Sequence, residues 1–408
     1  MRTKKQKKLH TQGIKDIYLS FVSKIDAIEL FYTRFFSKTK YDDQQLAAEF
    51  SKYLLTNFKN LFNPSDYSDL KDGKNKSFSG KQKEEYKQLQ RLMQRVPPIN
   101  YTEILSRGAF IMLNNNFEFL FSDILNYYFR KYPDFLKKES FEMTIDDLKI
   151  YNTVNDLYES VVSKKVEKLL FELSLLKLKQ FFQDKLNIVF EEQLINWNKI
   201  YEIKERRNIL IHNNALVNNK YIVTTENPFK LLLNSEVKID PAYFESSCRE
   251  IRLAGTIIIF NCWKKWDKIN YHLLIEELKI LLLDKLKVND NLFVVKIGEY
   301  IDKNIVPQNE NDEKTILWLK FNRCVALKRL GLNSEANEII KSINVDSLSP
   351  IFKVAKYVIN EEYVKVIDNI LNAKKIDNLT IDKYEHWSLF EGIRNRENYN
   401  KRIRKILS

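Results

Sequence analysis

One short polar segment, Glu205 to Asn214, contains the side chains best suited to chemistry. It reads Glu-Arg-Arg-Asn-Ile-Leu-Ile-His-Asn-Asn. An imidazole such as that of His212 transfers protons near neutral pH. A guanidinium binds phosphate oxygens through a rigid fork of N–H donors. The segment therefore combines a proton-transfer group with phosphate-binding groups.

The other three histidines are less suited to catalysis. His10 lies in a basic N-terminal tail, His272 follows a break between predicted helices, and His386 stands beside Trp387. We expect a surface or packing role for each of these three, which leaves His212 as the candidate catalytic histidine.

Helical periodicity indicates which side chains of the segment can share a face. Glu205, Asn208 and His212 are spaced i, i+3 and i+7, so a helix places them on one stripe. Ile209 and Leu210 then point elsewhere, toward a core. The spacing predicts a polar stripe beside an apolar face, near the end of a helix.

Arg207 precedes His212 by five residues, which places the two about 140° apart around an ideal helix. Its long side chain can still swing toward the polar stripe. A carboxylate, an amide, an imidazole and a guanidinium would then lie close together, which is an unusual concentration of functional groups.

The string Arg207-Asn208-(x)3-His212 resembles the signature of the HEPN superfamily, in which an arginine is followed by four to six residues and then a histidine. A polar residue often follows the arginine directly, as Asn208 does here. The surrounding residues, from Glu205 to Tyr221, are similar to bacterial members linked to RNA cleavage and phage defence. The resemblance covers roughly residues 100–266.

The resemblance implies a metal-independent endoribonuclease that acts in phage defence or as a toxin and needs no cofactor. The ribose 2′-hydroxyl would attack the adjacent phosphorus, leaving a 2′,3′-cyclic phosphate and a 5′-hydroxyl. Because one histidine cannot easily serve as both base and acid, members of the family dimerise and form a composite cleft. The expected partners are therefore an RNA substrate and a second copy of the chain.

The resemblance also assigns roles to individual residues. His212 would be the base or acid, Arg207 would stabilise the phosphate, and Asn208 would position the substrate. Arg206 also satisfies the spacing, with five intervening residues, although the Arg-Asn dipeptide favours Arg207. We count Arg206, Glu205 and Asn213 as supporting residues, and no metal ligand is expected.

A second hypothesis is a non-catalytic helical scaffold of the HEPN fold that binds RNA or protein. A histidine is a favourable residue at the C-terminal end of a helix without any catalytic role. His212 would then only cap a helix.

Composition predicts an all-α fold. The 408 residues include only 8 Gly and 8 Pro, about a third of the roughly 12% usual for the two together. Few turn-forming residues favour long helices. We expect helices over 14–38, 43–62, 83–96, 101–131, three stretches within 145–213, one over 240–266, and shorter ones over 273–408, with an irregular segment over 214–239.

The pattern also predicts a domain organisation. We expect an N-terminal helical region (1–62), a polar linker or loop (63–82), a HEPN-like catalytic domain (83–266) and a C-terminal helical region (267–408). In the last of these, residues 312–343 resemble a tetratricopeptide-type helix pair, although an ordinary helical hairpin fits equally well. The N- or C-terminal helices could bind a regulatory protein partner.

The positive charge is concentrated at the two ends of the chain. Residues 1–8 and 394–408 each carry a net charge of +5, so together they supply +10 of the net +13. These tails could bind RNA phosphates or be ordinary solvated termini. The net positive charge therefore does not by itself identify a nucleic-acid-binding protein.

Three widely spaced cysteines indicate neither a disulfide framework nor a metal-binding pair, so we expect a reducing cytoplasm. The most apolar stretch, Leu253 to Cys262, is about half as long as a membrane span. We therefore expect no association with a membrane.

Overall fold

The computed structural model describes residues 13–61, 80–95, 100–137 and 144–408. All regular elements within these ranges are helical, apart from one isolated antiparallel bridge between Leu216 and Glu236. The predicted all-α class is confirmed. None of the described helices combines the length and the apolar character needed to cross a membrane.

The helices have well-defined bounds. In chain order they are α1 Ile14–Asn57, α2 Gly80–Arg95, α3 Tyr101–Lys131, α4 Ile145–Lys149, α5 Val154–Glu172, α6 Leu175–Leu186, α7 Trp197–His212, α8 Asn219–Thr225, α9 Pro241–Trp266, α10 Tyr271–Lys287, α11 Asn291–Asn304, α12 Glu310–Arg329, α13 Asn333–Ser342, α14 Pro350–Ile359, α15 Tyr363–Asp377, α16 Ile381–His386, α17 Glu391–Arg394 and α18 Glu397–Leu407. Short 3-10 turns occupy Pro133–Leu136, Lys268–Asn270 and Ser388–Phe390.

Some predicted boundaries are correct. Helix α3 has the bounds predicted for 101–131, and α9 starts at Pro241, where Asp240 accepts a hydrogen bond from the Tyr243 amide at 2.8 Å. This is the cap expected from an aspartate before an N-terminal proline. The tetratricopeptide-like segment forms α12 and α13, and its resemblance to that repeat stays a prediction.

Other predicted boundaries are wrong. The predicted break between residues 38 and 43 does not exist, because no Gly or Pro interrupts the segment and α1 continues to Asn57. Residues 145–213 form four helices instead of three. The segment predicted to be irregular, 214–239, contains the short helix α8.

Parts of the sequence interpretation lie outside the described residues. These are the N-terminal basic tail (1–8) and the predicted linker (63–82), apart from its last three residues, which begin α2. The domain boundaries stay predictions.

The described residues fall into two compact units. The first comprises the described part of Met1–Phe21 together with Phe119–Trp197 and Arg249–Ser408. Its core includes fully buried side chains from α9, α10 and α11, namely Trp263, Leu278 and Tyr300. In its C-terminal part, neighbouring helices pack side by side, as α11 does with α12 and α14 with α15.

The second unit comprises the described part of Val22–Glu118 together with Asn198–Cys248. Its core joins α1, α3, α7 and the first turns of α9. Tyr32 packs against Phe244 with ring centroids 4.0 Å apart, and Phe110 lies 5.7 Å from Tyr243. Aromatic side chains thus fill the space around α7, the helix that carries the candidate catalytic residues.

Gly255 on α9 is required by close packing in the first unit. A methyl group at this position would overlap the ring of Phe21 and lie 3.0 Å from Leu120. We predict that Gly255→Ala lowers the free energy of unfolding by about 1–3 kcal/mol through overpacking, measured by urea denaturation. Gly108→Ala, in the N-terminal part of α3 with open space around it, is the control and should stabilise the helix. Equal effects of the two substitutions would contradict this account.

Candidate functional site

Helix α7 carries the candidate residues and is fixed to the second unit by its apolar face. Ile200, Ile203, Ile209 and Leu210 are all buried, so the prediction that the last two face the core is confirmed. Burying this face determines which polar side chains of α7 can reach solvent.

A buried carboxylate lies at the centre of the interactions that hold α7. Glu202 has no exposed surface. Its Oε1 accepts hydrogen bonds from Arg206 Nε and the Tyr221 hydroxyl, each at 2.6 Å. Its Oε2 accepts from the Tyr243 hydroxyl at 2.6 Å and from Lys199 Nζ at 3.3 Å. Four donors therefore satisfy one carboxylate and join α7 to α8 and α9.

Arg206 is committed to this buried cluster. Besides its bond to Glu202, it donates to the Lys238 carbonyl at 3.3 Å and to the Tyr221 hydroxyl at 3.4 Å. Its guanidinium carbon lies 3.8 Å from the centre of the Tyr243 ring, a close cation–π contact. Of the two arginines with suitable spacing, Arg206 thus faces the interior and connects helices.

The charge state of Glu202 follows from its partners. Burial by itself would raise the pKa of this carboxyl. The positive charges of Arg206 and Lys199 and the hydroxyl donors Tyr221 and Tyr243 outweigh burial, so the pKa lies below its ordinary value. Glu202 is therefore ionised at neutral pH and forms a true ion pair with Arg206.

Arg207 lies on a different face of α7 and is held by a second, more exposed network. Its Nη2 donates to the side-chain carbonyl of Asn115 at 3.1 Å, and its Nη1 donates to Asn208 at 3.4 Å. The Asn208 amide in turn donates to Glu205 at 3.3 Å. Glu118 lies 3.8 Å from Arg207 Nη2. Arg207 has therefore swung toward the polar stripe, as its long side chain allowed.

The guanidinium of Arg207 has hydrogens left on its two outer nitrogens. Each Nη carries two hydrogens and makes one hydrogen bond, whereas Nε is enclosed, without an acceptor among the described residues, and cannot reach a ligand. Burial lowers the pKa of Arg207 from its ordinary value, yet an arginine stays protonated in proteins. The side chain is thus an oriented, permanent cation, which is what binding of a phosphate oxygen requires.

Lys204 adds a second cation to this network. Its ammonium group forms an ion pair with Glu118. Burial, together with the positive charge of Arg207, lowers the pKa of Lys204 to about 8. The lysine is still mainly protonated at neutral pH, so the two cations share Glu118 as a common counter-ion.

His212 stands at the C-terminal end of α7 with an exposed side chain. The chain turns immediately after it, through Asn214 and Ala215 in left-handed conformations with φ of 47° and 62°. Asn213 closes this turn by donating to the Leu216 carbonyl at 2.6 Å. No described residue forms a hydrogen bond or an ion pair with the His212 imidazole.

The structure thus joins some of the predicted residues and separates others. Glu205, Asn208 and Arg207 form one hydrogen-bonded chain, His212 lies beyond it without a partner in the described parts of the chain, and Arg206 is buried. Asn213 shapes the turn. The network can orient an anion and His212 can transfer a proton.

Sequence reasoning missed the partners of Arg207 outside the motif, namely Asn115, Glu118 and Lys204. A signal for the first was present, because Asn114-Asn115-Asn116 interrupts the otherwise apolar middle of α3. Three consecutive amides on such a helix indicate that at least one has a polar partner.

In the part of the chain that the structure describes, no cluster of three or more His, Cys, Asp or Glu side chains is arranged to hold a metal ion. No protein-family model, curated protein or solved structure matches this chain. The site's function is therefore inferred from its residues and their geometry.

The Glu202 cluster makes a testable prediction about stability. Because the folded-state pKa of Glu202 is depressed, the ionised carboxylate stabilises the fold above its unfolded-state pKa, near 4.5. This stabilisation is lost as pH falls through the folded-state pKa. Glu202→Gln leaves Arg206 as a buried, unpaired charge, and we expect a loss of about 3–5 kcal/mol at neutral pH.

Urea denaturation between pH 3 and 7, roughly spanning the carboxyl range, measures this effect. The variant should show a shallower dependence of stability on acid than the wild type. Glu172→Gln, which changes an exposed carboxylate on α5, should leave the unfolding midpoint unchanged. An equally stable Glu202→Gln variant would show that the buried pair does not hold α7.

Proposed function

We propose that the protein is a metal-independent endoribonuclease of the HEPN kind that acts in phage defence or as a toxin. The observation that carries the proposal is the contrast on α7 between two side chains. Arg207 is held in place and has one hydrogen left on each Nη, whereas the exposed imidazole of His212 has no partner among the described residues. An oriented cation and, five residues further along the same helix, an exposed proton-transfer group suit cleavage of a phosphodiester.

In the proposed reaction, the ribose 2′-oxygen attacks the adjacent phosphorus and the bond from phosphorus to the 5′-oxygen breaks. One imidazole accepts the proton of the 2′-hydroxyl, and a protonated imidazole donates a proton to the leaving 5′-oxygen. Arg207 stabilises the charge that develops on the phosphorane oxygens. Asn115 and Asn208 keep its guanidinium oriented, so no reorganisation is needed during the reaction.

The reaction needs two proton-transfer groups, and we propose that the second is His212 of a second copy. The α3 surface beside Arg207 supports an interface between copies. Ile104 and Met112 are 66% and 55% exposed. The exposed Gly108 lies between them, and Asn115 lies one turn after Met112. All four residues fall within about 80° around the helix axis, so they share one face of α3. Contact with a second copy would remove these exposed apolar side chains from water.

Replacement of the imidazole tests the enzyme proposal. His212→Gln keeps a polar side chain but removes proton transfer, and we expect RNA cleavage to fall about 10²–10⁴-fold. Arg207→Ala should lower cleavage about 10²–10³-fold. The measurement is cleavage of end-labelled structured and unstructured RNAs in EDTA, with detection of 2′,3′-cyclic phosphate ends.

The matched control is His272→Gln, which removes another exposed imidazole and should leave activity unchanged. Circular dichroism confirms folding of each variant, and expression in cells should slow growth only when His212 and Arg207 are intact. Intact RNA with the wild-type protein, or identical cleavage by His212→Gln, would favour the non-catalytic scaffold.

The interface proposal predicts that a charge on the α3 surface separates the copies. Met112→Glu should shift the protein from dimer to monomer in sedimentation velocity and reduce cleavage to the level of His212→Gln, because a buried charge at an interface is costly. Val364→Glu, at an exposed apolar position on α15, is the control and should change neither property. An active Met112→Glu monomer would contradict the composite site.

A further inference from the structure

The first unit contains a concave site in the C-terminal helical region. A cavity of about 710 Å³ is lined by residues of α10, α12, α16 and the start of α14. This volume lies in the range of small-molecule sites. The cavity shares no residue with the site on α7, so its role is argued independently of the proposed ribonuclease.

One wall of the cavity is positively charged. Helix α10 contributes Lys279 and Lys287, and α12 contributes Lys314. Among the described lining residues from these two helices there is no carboxylate. Each lysine pairs with an acidic residue three or four positions earlier on its own helix, and these exposed pairs contribute little and exchange readily. The wall can therefore accept an anionic group.

Aromatic side chains form another part of the lining. The Trp318 ring stacks on Phe352 with centroids 4.5 Å apart and planes inclined by 25°. Trp387 packs 4.8 Å from Trp318, and its indole N–H has no acceptor among the described residues. Both indoles are only partly buried and border the cavity. They offer a surface on which a planar ring can stack.

Two polar side chains beside these rings have no hydrogen-bond partner in the part of the chain that the structure describes. Thr315 and Asn322 line the cavity although their residues are only 5% and 4% exposed. Neither side chain forms a hydrogen bond with a described residue. Unlike the enclosed indole N–H of Trp387, their polar atoms are accessible from the cavity. The hydroxyl and the amide can pair there with a ligand that has donors and acceptors.

We infer that this cavity binds a nucleoside phosphate. The phosphates match the lysine wall, the base can stack on the indoles, and Asn322 can pair with a base edge through its donor and acceptor. The rest of the lining includes two carboxylates: Asp377 accepts a hydrogen bond from the Ile351 amide at 2.9 Å, and the exposed Asp382 can accept one from a ribose hydroxyl. A simple anion would leave the indoles and Asn322 unused, and an acidic peptide would leave the stacking surface without a planar ring.

Calorimetry and tryptophan fluorescence with the full chain test this inference, using ATP, GTP, CTP and UTP in turn without RNA. At least one should bind saturably, whereas inorganic triphosphate and the corresponding nucleoside should each bind at least about tenfold more weakly. Lys287→Glu should weaken binding about tenfold or more. Asn322→Ala should weaken it by a similar factor, with folding of the variant confirmed by circular dichroism.

Lys149→Glu is the matched control, since Lys149 also pairs with an aspartate three residues earlier on an exposed helix, and it should bind as the wild type does. Arg207→Ala should also bind normally, which separates this cavity from the site on α7. Failure of all four nucleotides to bind would overturn the inference. So would inorganic triphosphate binding as tightly as a nucleotide, or an acidic peptide binding where no nucleotide does.

Discussion

The ion pair between Glu202 and Arg206 is the constraint on which the candidate site depends. Two opposite charges are removed from water, and this is tolerable only when each remaining lone pair and proton has a partner. Tyr221, Tyr243 and Lys199 complete the set on the carboxylate. Because these partners come from α7, α8 and α9, satisfying one carboxylate fixes three helices relative to each other.

Fixing α7 in this way determines what its other polar residues can do. Successive residues of a helix differ by about 100° in direction, so a buried Arg206 places Arg207 on a different face. That face meets Asn115 of α3, which holds the guanidinium at the surface. The same helix thus uses one arginine for its own anchoring and presents the next one to solvent, which explains why adjacent, chemically identical residues have different roles.

The sequence predicted the fold class well because scarcity of Gly and Pro acts along the whole chain. It located the ends of α3 and α9, where capping residues or nearby prolines mark them. The predicted break at residues 39–42 of α1 was wrong, because a change in the apolar pattern does not end a helix unless a Gly or Pro interrupts it. Local sequence patterns therefore predict the presence of a helix well. They predict where a helix ends only where a capping residue or a helix breaker is present.

The candidate site was only partly predictable, for a related reason. The stripe of Glu205 and Asn208 follows from helical spacing, and its contact with Arg207 is local. The bond between Arg207 and Asn115 joins residues 92 positions apart, which spacing cannot show. Spacing also could not separate Arg206 from Arg207, although Glu202 lies four residues before Arg206 and such i, i+4 pairs are recognisable in a sequence.

The geometry around Arg207 also bears on how a phosphate would enter the proposed site. Without substrate, Glu118 balances the charges of Lys204 and Arg207, which would otherwise repel each other. Its separation from the guanidinium, 3.8 Å, is longer than the 3.1 Å hydrogen bond from Asn115. An incoming phosphate can therefore take the place of the carboxylate while the amide keeps the guanidinium oriented. In this arrangement Glu118 neutralises the two cations, whereas Asn115 orients the guanidinium of Arg207. Substrate binding therefore need not disturb the orientation on which the proposed reaction depends.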